Sequence, residues 1–285
     1  MNNKYNVRVK YRLGKSGIYK GLVIFFAFLV AVPLAVIIGY IFKQGITQIN
    51  WDFITKIPKP AGEKGGGIAN ALVGSIIIVL MSSIIAIPIG ILCGVYLSEN
   101  KKGRLAYWSR LCVDVLQAVP SIVIGMIAYL WIVKPTGGFS AYAGSIALGI
   151  MMLPIVIRST EETLNLLPPS LKEAGLALGL PYNKVILRIL VPCGISGILS
   201  GVILSIARIA GETAPLIFTA LGNSFFNVNI TKPTATLPVV IYKYATDAQN
   251  ELHDLAWGAS LILLVSVLTL NIVTKLATRR WNVQL

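Results

Sequence analysis

An arginine and a glutamate four residues apart interrupt an otherwise apolar stretch, SIARIAGETAPLIFTALGN. An arginine in the middle of a membrane costs roughly 2.5–3.5 kcal/mol, so such residues usually serve a purpose. The spacing of Arg208 and Glu212 places them on one helix face, where they can pair. A guanidinium also presents a fork of donors to an anion. We therefore expect Arg208 to attract an anion, with Glu212 holding Arg208 or accepting a hydrogen bond from a protonated oxyanion.

The same pair also fits a purely structural role, in which the two charges only lock neighbouring helices together. Arg158, at the end of an earlier apolar segment, is a second candidate for an anion path. It fits equally well a position at the membrane interface, with its charge extended toward the headgroups. Asp114 begins another apolar segment, where an interface position is favoured over a site.

Residue types that carry catalysis or bind metals are scarce. The single histidine is His253, and Cys93, Cys112 and Cys193 form no Cys-x-x-Cys pair and no cluster with it. We predict no catalytic residue and no metal site, and we expect the cysteines to be small apolar filler. A membrane-embedded enzyme is therefore disfavoured.

Composition places these residues in a membrane. The 285 residues are 55% hydrophobic and 13% charged, with a mean hydropathy of +0.76, and several apolar runs are long enough to cross a bilayer. The formal net charge of +14 resides mostly in loops and tails, where lysine and arginine meet anionic lipid headgroups. The sequence therefore predicts an all-α, polytopic membrane protein and argues against a nucleic-acid partner.

Six apolar segments can span the membrane. Pro120, Pro154 and Pro215 are expected to kink three of them. The first 17 residues form a basic tail, and residues 18–285 form one transmembrane domain. The predicted spans are Ile18–Phe42, Ile68–Leu97, Leu111–Val133, Ala141–Ile157, Cys193–Ala220 and Leu255–Ala277.

The distribution of positive charge gives the orientation. With both termini in the cytoplasm, the inner segments hold 17 Lys and Arg residues and the outer loops hold 7. Lysine and arginine are enriched on the cytoplasmic side of membrane proteins. We therefore predict a multi-pass protein of the cell membrane with loops 43–67 and 221–254 outside and loop 161–192 inside.

The inner stretch Pro168–Pro192 has more local structure than a linker needs. Ser170 and Glu173 have the spacing of a capping box, which predicts a helix start. Gly179 is a helix stop, and Pro181 suits the first turn of a second helix. We predict two short helices that dock on another protein.

This stretch resembles the EAA signature of ABC-importer permeases, in which E-A-A and a glycine precede I-x-L-P at fixed spacing. The matching residues are Glu173, Ala174, Gly175, Gly179 and Pro192, with Gly175 in place of the second alanine and Val191 in place of leucine. The resemblance implies a type I, MetI-like permease fold and a coupling helix that docks on a separate ATPase subunit. Because the sequence lacks a P-loop motif, ATP is expected to bind the partner chain, and no cofactor is expected here.

Four stretches also resemble the permeases of phosphate-transport systems: PSIVIG, LPIVIRSTEETL, ARIAGETAPLIFTA and LPVVIYKYA. The resemblance covers most of residues 70–285. It implies an importer of inorganic phosphate with two related permeases, two ATPase copies and an extracytoplasmic phosphate-binding protein. A permease for another oxyanion, such as molybdate or sulfate, is the nearest alternative. A channel or transporter that works without ATP is disfavoured by the docking loop.

Overall fold

The computed structural model describes residues 2–59 and 65–279, and these residues form helices and loops without a strand. Parts of the predicted outer loop 43–67 and Arg280 of the predicted tail lie outside them. The helices are α1 (Asn2–Gly45), α2 (Trp51–Thr55), α3 (Ala69–Glu99), α4 (Arg104–Ala118), α5 (Ser121–Thr136), α6 (Ala141–Asn165), α7 (Pro169–Ala177), α8 (Tyr182–Cys193), α9 (Ile195–Ala210), α10 (Ala214–Thr219), α11 (Leu237–Ala245) and α12 (Asn250–Arg279). Helices α5 and α8 contain short π-helical segments at Tyr129–Val133 and Ile186–Leu190.

The centre of the fold is the contact between α3 and α6. A Cβ added to Gly90 would lie 2.7 Å from Val156 Cγ1, and one added to Gly94 would lie 2.5 Å from Thr160 Cβ. In lipid no hydrophobic driving force draws helices together, so their association depends on close packing. Small residues permit that packing because they let the helix backbones approach each other. The surrounding core includes Ile78, Ala86, Leu148, Met152, Ile198 and Leu216.

Within the described residues, four single helices are long and apolar enough to span a membrane, and two bent pairs raise that number to six. The prediction of six spans agrees with this if each bent pair crosses once. Helix α1 is exposed along its apolar length, and its end contacts α12, where Tyr40 and Trp257 meet edge to face at 5.1 Å. Gly45 lies against Leu261 at the same junction.

The third predicted span, Leu111–Val133, is wrong as a single helix. The axes of α4 and α5 differ by 104°, and the chain between them is extended at Val119. Pro120 explains the break, because proline lacks an N–H and disfavours the helical conformation in the residue before it. The expected kink is therefore a sharp turn.

The fourth and fifth spans also differ from their predicted bounds. Helix α6 runs through Pro154 to Asn165, so the predicted interruption and the predicted end near Arg158 are both wrong. The fifth span bends by 68° at Gly194. It then ends at Ala210, and Pro215 begins the next short helix rather than kinking a long one.

Both loops predicted to lie outside contain helices, α2 and α11. The predicted loop residues Leu237, Val239 and Val240 are buried, so LPVVIYKYA is part of the packed bundle. Cys93 and Cys112 are exposed on the surface of this chain and Cys193 is half-buried, so their role as small apolar filler stays a prediction.

The predicted inner stretch forms a hairpin of α7 and α8. Helix α7 begins at Pro169, so Ser170 lies inside its first turn, and the predicted capping box is absent. The predicted stop at Gly179 is confirmed by its φ of +76°. The amide of Leu180 donates to the Gly175 carbonyl at 3.3 Å, as in a Schellman motif. Pro181 is the extended residue before α8, one position ahead of the predicted first turn.

Gly175 is the contact point between the two hairpin helices. A Cβ at this position would lie 2.8 Å from Ile189 Cδ1 and about 3.1 Å from a Val185 methyl. Gly175, which replaces the second alanine of the signature, therefore allows α7 to approach α8 closely. Gly175 is buried, whereas Glu173, Ala174 and Gly179 face outward.

We predict that Gly175→Leu destabilises the hairpin by about 1–3 kcal/mol, the usual cost of overpacking a tight contact. Thermal unfolding in detergent and the rate of tryptic cleavage at Lys172, Lys184 and Arg188, which lie within the two hairpin helices, measure the effect. Gly175→Ala should cost less, because the terminal methyl of Ile189 can move. Gly138→Leu is the matched control, since a Cβ at Gly138 meets nothing within 4 Å. Equal behaviour of the two leucine variants would contradict the prediction.

Candidate functional site

The structure brings two of the predicted site residues, Arg158 and Arg208, to the wall of one cavity. The cavity has a volume of about 700 Å³ and lies between α4, α6 and α9. Its lining is mixed, with hydroxyl, amide and charged groups beside apolar side chains: Gln117, Ile155, Arg158, Ser159, Glu162, Thr163, Leu166, Gly197, Ser200, Gly201, Leu204 and Arg208. Glu212, predicted to share the site, is absent from this lining.

Two glycines of α9 form the edge of the cavity against α6. A Cβ on Gly201 would lie 1.8 Å from Ser159 Oγ, and one on Gly197 would lie 2.5 Å from Thr163 Oγ1. The Ser159 hydroxyl donates to the Gly197 carbonyl at 3.3 Å. The backbones of α6 and α9 are thus in close contact here, and the remaining space is left beside α4.

Arg208 lies in the last turn of α9. Its Nε is 3.8 Å from Glu212 Oε1, so the predicted pair is present but is longer than a hydrogen bond. Glu212 lies beyond the helix end at Ala210, and the two residues therefore do not share a helix face. The Arg208 side chain is 52% exposed within this chain, which leaves guanidinium donors accessible from the cavity.

Arg158 is held by two carboxylates. One terminal nitrogen donates to Glu161 Oε2 at 3.1 Å, and the other donates to Asp114 Oδ1 on α4. Arg158 lies inside α6 rather than at its end. Its position relative to the membrane interface stays a prediction. Asp114, expected to be an interface residue, is instead its ion-pair partner.

The Glu161 side chain is only 6% exposed, and its carboxylate links α6 to α4. Its Oε1 accepts a hydrogen bond of 2.6 Å from Arg110 Nε on α4. Arg110 also donates to the carbonyl of Leu97, near the end of α3, at 2.6 Å. We call Asp114, Arg158, Glu161 and Arg110 the bracing network.

Sequence reasoning missed the bracing network. The spacing of three between Arg158 and Glu161 is a signal for a pair on one helix face. Arg110 had no such signal, because its partner is 51 residues away. Residues 2–59 and 65–279 contain no group of three His, Cys, Asp or Glu side chains able to hold a metal ion.

The predicted coupling residues lie together on the hairpin. Glu173, Ala174 and Gly179 are exposed on α7 and its C-terminal turn, Gly175 is buried against α8, and Pro192 is exposed near the end of α8. The surface that α7 and its C-terminal turn present therefore combines small residues, one carboxylate and the exposed apolar side chains of Leu176 and Leu178. Gly175 lies inside the hairpin, against α8.

Residues 86–282 match the family described as binding-protein-dependent transport system inner membrane component. The phosphate transport system permease protein PstA of Yersinia pestis is 44% identical over 233 residues, which are 81% of this chain and 79% of that protein. The protein of the same name from Haemophilus influenzae is 40% identical over 277 residues, 97% of this chain and 98% of that one.

Two solved structures share the fold. The MetNI methionine ABC transporter, in an inward-facing conformation, matches at a TM-score of 0.65 with 17% identity over 75% of this chain and 96% of that one. A bacterial alginate ABC transporter matches at 0.62 with 14% identity over 98% of each chain. At such identities the likeness concerns the fold alone, and it confirms the predicted all-α permease architecture.

We predict that Glu161→Ala lowers the free energy of unfolding by about 1–3 kcal/mol, because the partly buried Arg110 and Arg158 each lose one acceptor for their guanidinium donors. Thermal unfolding in detergent measures the effect. Glu162→Ala is the matched control, since Glu162 is the next residue of α6 and is exposed. A transition temperature for Glu161→Ala equal to that of the control would contradict the role of the bracing network.

Proposed function

This chain belongs to the family of binding-protein-dependent transport system inner membrane components, and within it to the PstA permeases, and we propose that it is a membrane subunit of an ATP-driven importer of inorganic phosphate. It is a multi-pass membrane protein of the all-α permease fold. The observation that carries the proposal from the geometry is the cavity in which Arg158 and Arg208 converge.

Arg208 is the group best suited to contact the transported anion. A guanidinium binds an oxyanion through two parallel N–H donors, and these charge-assisted bonds are roughly twice as strong as neutral ones. Arg208 has donors that Glu212 does not engage, whereas two donors of Arg158 are bonded to carboxylates. In this proposal Arg208 is the first residue to bind the phosphate ion. Arg158 adds positive potential from within the bracing network.

A carboxylate beside the arginines favours phosphate over fully ionised oxyanions. Phosphate at neutral pH retains a proton, which it can donate to an acceptor such as Glu162 in the cavity wall. Sulfate and molybdate carry no such proton and would be repelled by the same group. The acceptor role first considered for Glu212 thus suits Glu162 better, because Glu212 is not in the cavity lining.

The chain requires partners to move phosphate. The family description names a binding protein, and the sequence has no P-loop of its own, which supports ATP binding on a separate chain. The proposed complex holds this permease, a homologous second permease, two ATPase subunits and an extracytoplasmic phosphate-binding protein. The chain itself then binds no ATP and catalyses no hydrolysis.

Both termini and the α7–α8 hairpin are assigned to the cytoplasm by the excess of basic residues there. The exposed face of α7, with Glu173 and Ala174, is the surface that docks on the ATPase. Gly175, Gly179 and Pro192 shape the hairpin that presents this face. Closure of the ATPase dimer would then favour one orientation of the helices over the other, since it contacts the hairpin differently in each state.

We predict that Arg208→Gln lowers the rate of phosphate uptake at low phosphate concentration at least about tenfold, since a hydrogen bond to a charged group contributes about 1.5–3 kcal/mol. Arg208→Lys should retain part of the activity as a point charge without the fork. Uptake is measured in proteoliposomes that contain the whole complex. Arg104→Gln is the control, because Arg104 is an exposed arginine outside the cavity lining.

Wild-type uptake by Arg208→Gln would exclude the anion path through Arg208. Uptake of sulfate or molybdate in preference to phosphate by the wild-type complex would replace the proposed substrate with the alternative. Persistence of uptake without ATP would exclude an ATP-driven importer altogether.

We predict that Glu173→Lys leaves membrane insertion intact but abolishes uptake by reversing a charge on the docking face. The readout is the amount of ATPase subunit that co-purifies with the permease, expected to fall about tenfold or more, as for loss of a paired interfacial charge. Glu251→Lys makes the same charge change at the exposed start of α12, and its complex should remain whole. Normal co-purification with Glu173→Lys would refute the docking role.

A further inference from the structure

Three helices meet at one carboxylate near the base of the hairpin. Glu99 is the last residue of α3, and its Oε2 accepts hydrogen bonds from the Lys172 ammonium on α7 and from the Tyr182 hydroxyl on α8. The Lys172 Nζ also lies 3.0 Å from the Tyr182 hydroxyl oxygen and 4.7 Å from the centre of its ring. We call these three residues the hairpin junction.

The junction is stronger than an ordinary surface pair. The Glu99 side chain is 13% exposed, so its charge is partly removed from water and less screened by salt. The hydrogen bond to Glu99 raises the pKa of Lys172 above its ordinary value, against the opposing effect of partial burial. The ammonium therefore remains charged throughout the neutral pH range.

A path of close contacts leads from the junction to the cavity. Helix α3, which ends at Glu99, packs on α6 at Gly94 and Gly90, where the backbones have no spare room. Helix α6 carries Arg158 and Ser159 in the cavity wall. A displacement of the end of α3 along its axis must therefore shift α6 or break this contact, because packed interfaces do not deform continuously.

We propose that Glu99 is a positioning residue that transmits movement of the α7–α8 hairpin to α3, and through α3 to the cavity wall on α6. The inference rests on the proposed function, in which an ATPase moves the hairpin. Lys172 and Tyr182 hold the two arms of the hairpin to the same carboxylate oxygen, so the hairpin moves with α3 as one unit. Different residues of α7 serve the two contacts: Glu173 belongs to the docking face, and its neighbour Lys172 makes the attachment to α3.

Loss of Glu99 should uncouple the complex rather than disassemble it. The docking face remains, so the ATPase still binds and hydrolyses ATP, but the hairpin moves without carrying α3. The diagnostic quantity is the number of phosphate ions imported per ATP hydrolysed. A residue that only stabilises the fold would lower uptake and hydrolysis together and leave this ratio unchanged.

The test uses the whole complex reconstituted in proteoliposomes, with the phosphate-binding protein added. Glu99→Ala is expected to keep ATP hydrolysis within about twofold of wild type and to lower phosphate imported per ATP about tenfold, the effect of losing one charge-assisted contact. Tyr182→Phe removes one donor and should give a smaller drop. Asp52→Ala is the control, because Asp52 also pairs with a lysine, Lys56, but on the outer helix α2.

A charge swap covers the case in which single variants fail to assemble. Glu99→Lys and Lys172→Glu should each lower the ratio, and the double variant should recover most of it, because the ion pair is restored in reverse. A wild-type ratio in Glu99→Ala overturns the proposal, as does a double variant no better than the worse single variant. Absence of phosphate uptake by the wild-type complex would instead refute the proposed function.

Discussion

The close contact between α3 and α6 is the constraint on which the other features of this protein depend. Gly90 and Gly94 bring the backbone of α3 against Val156 and Thr160, at distances that no side chain could occupy. This contact aligns the end of α3 with the Arg158–Glu161 turn of α6, which is why Arg110 can reach both the Leu97 carbonyl and Glu161. Without it neither the bracing network nor the cavity wall would have a fixed position.

The bracing network determines which arginine is available to an anion. Arg158 and Arg208 line the same cavity, but Asp114 and Glu161 accept hydrogen bonds from Arg158, whereas Glu212 stays 3.8 Å from Arg208. Paired carboxylates lower the positive potential that an entering anion meets near Arg158. The cavity is therefore asymmetric, with its accessible cation on α9 and a shielded one on α6.

Local patterns predicted much of this arrangement, and long-range contacts account for what they missed. Apolar runs located the spans, and Gly179 was recognised because a left-handed residue ends a helix. Pro154 and Pro120 have the same local signal, yet one lies within a continuous helix and the other separates two helices, since tertiary packing decides whether the lost hydrogen bond is tolerated. The pairing of Arg110 with Glu161 depends on the fold itself and has no local signature.

Helix α6 links the cavity to the α3 helix to which the hairpin is attached. Thr160 contacts Gly94 of α3, Glu161 belongs to the bracing network, and Ser159 lies in the cavity wall, all within one helical turn. Helix α3 in turn ends at Glu99, where both hairpin helices are attached. A rigid shift of α3 would therefore change the surroundings of Arg158, because the backbones of α3 and α6 are too close at Gly90 and Gly94 to admit even a Cβ. The hairpin is thus joined to the cavity wall in two ways: by the chain itself, which runs from α6 into α7 and from α8 into α9, and by the side chains at Glu99 together with the tight α3–α6 contact.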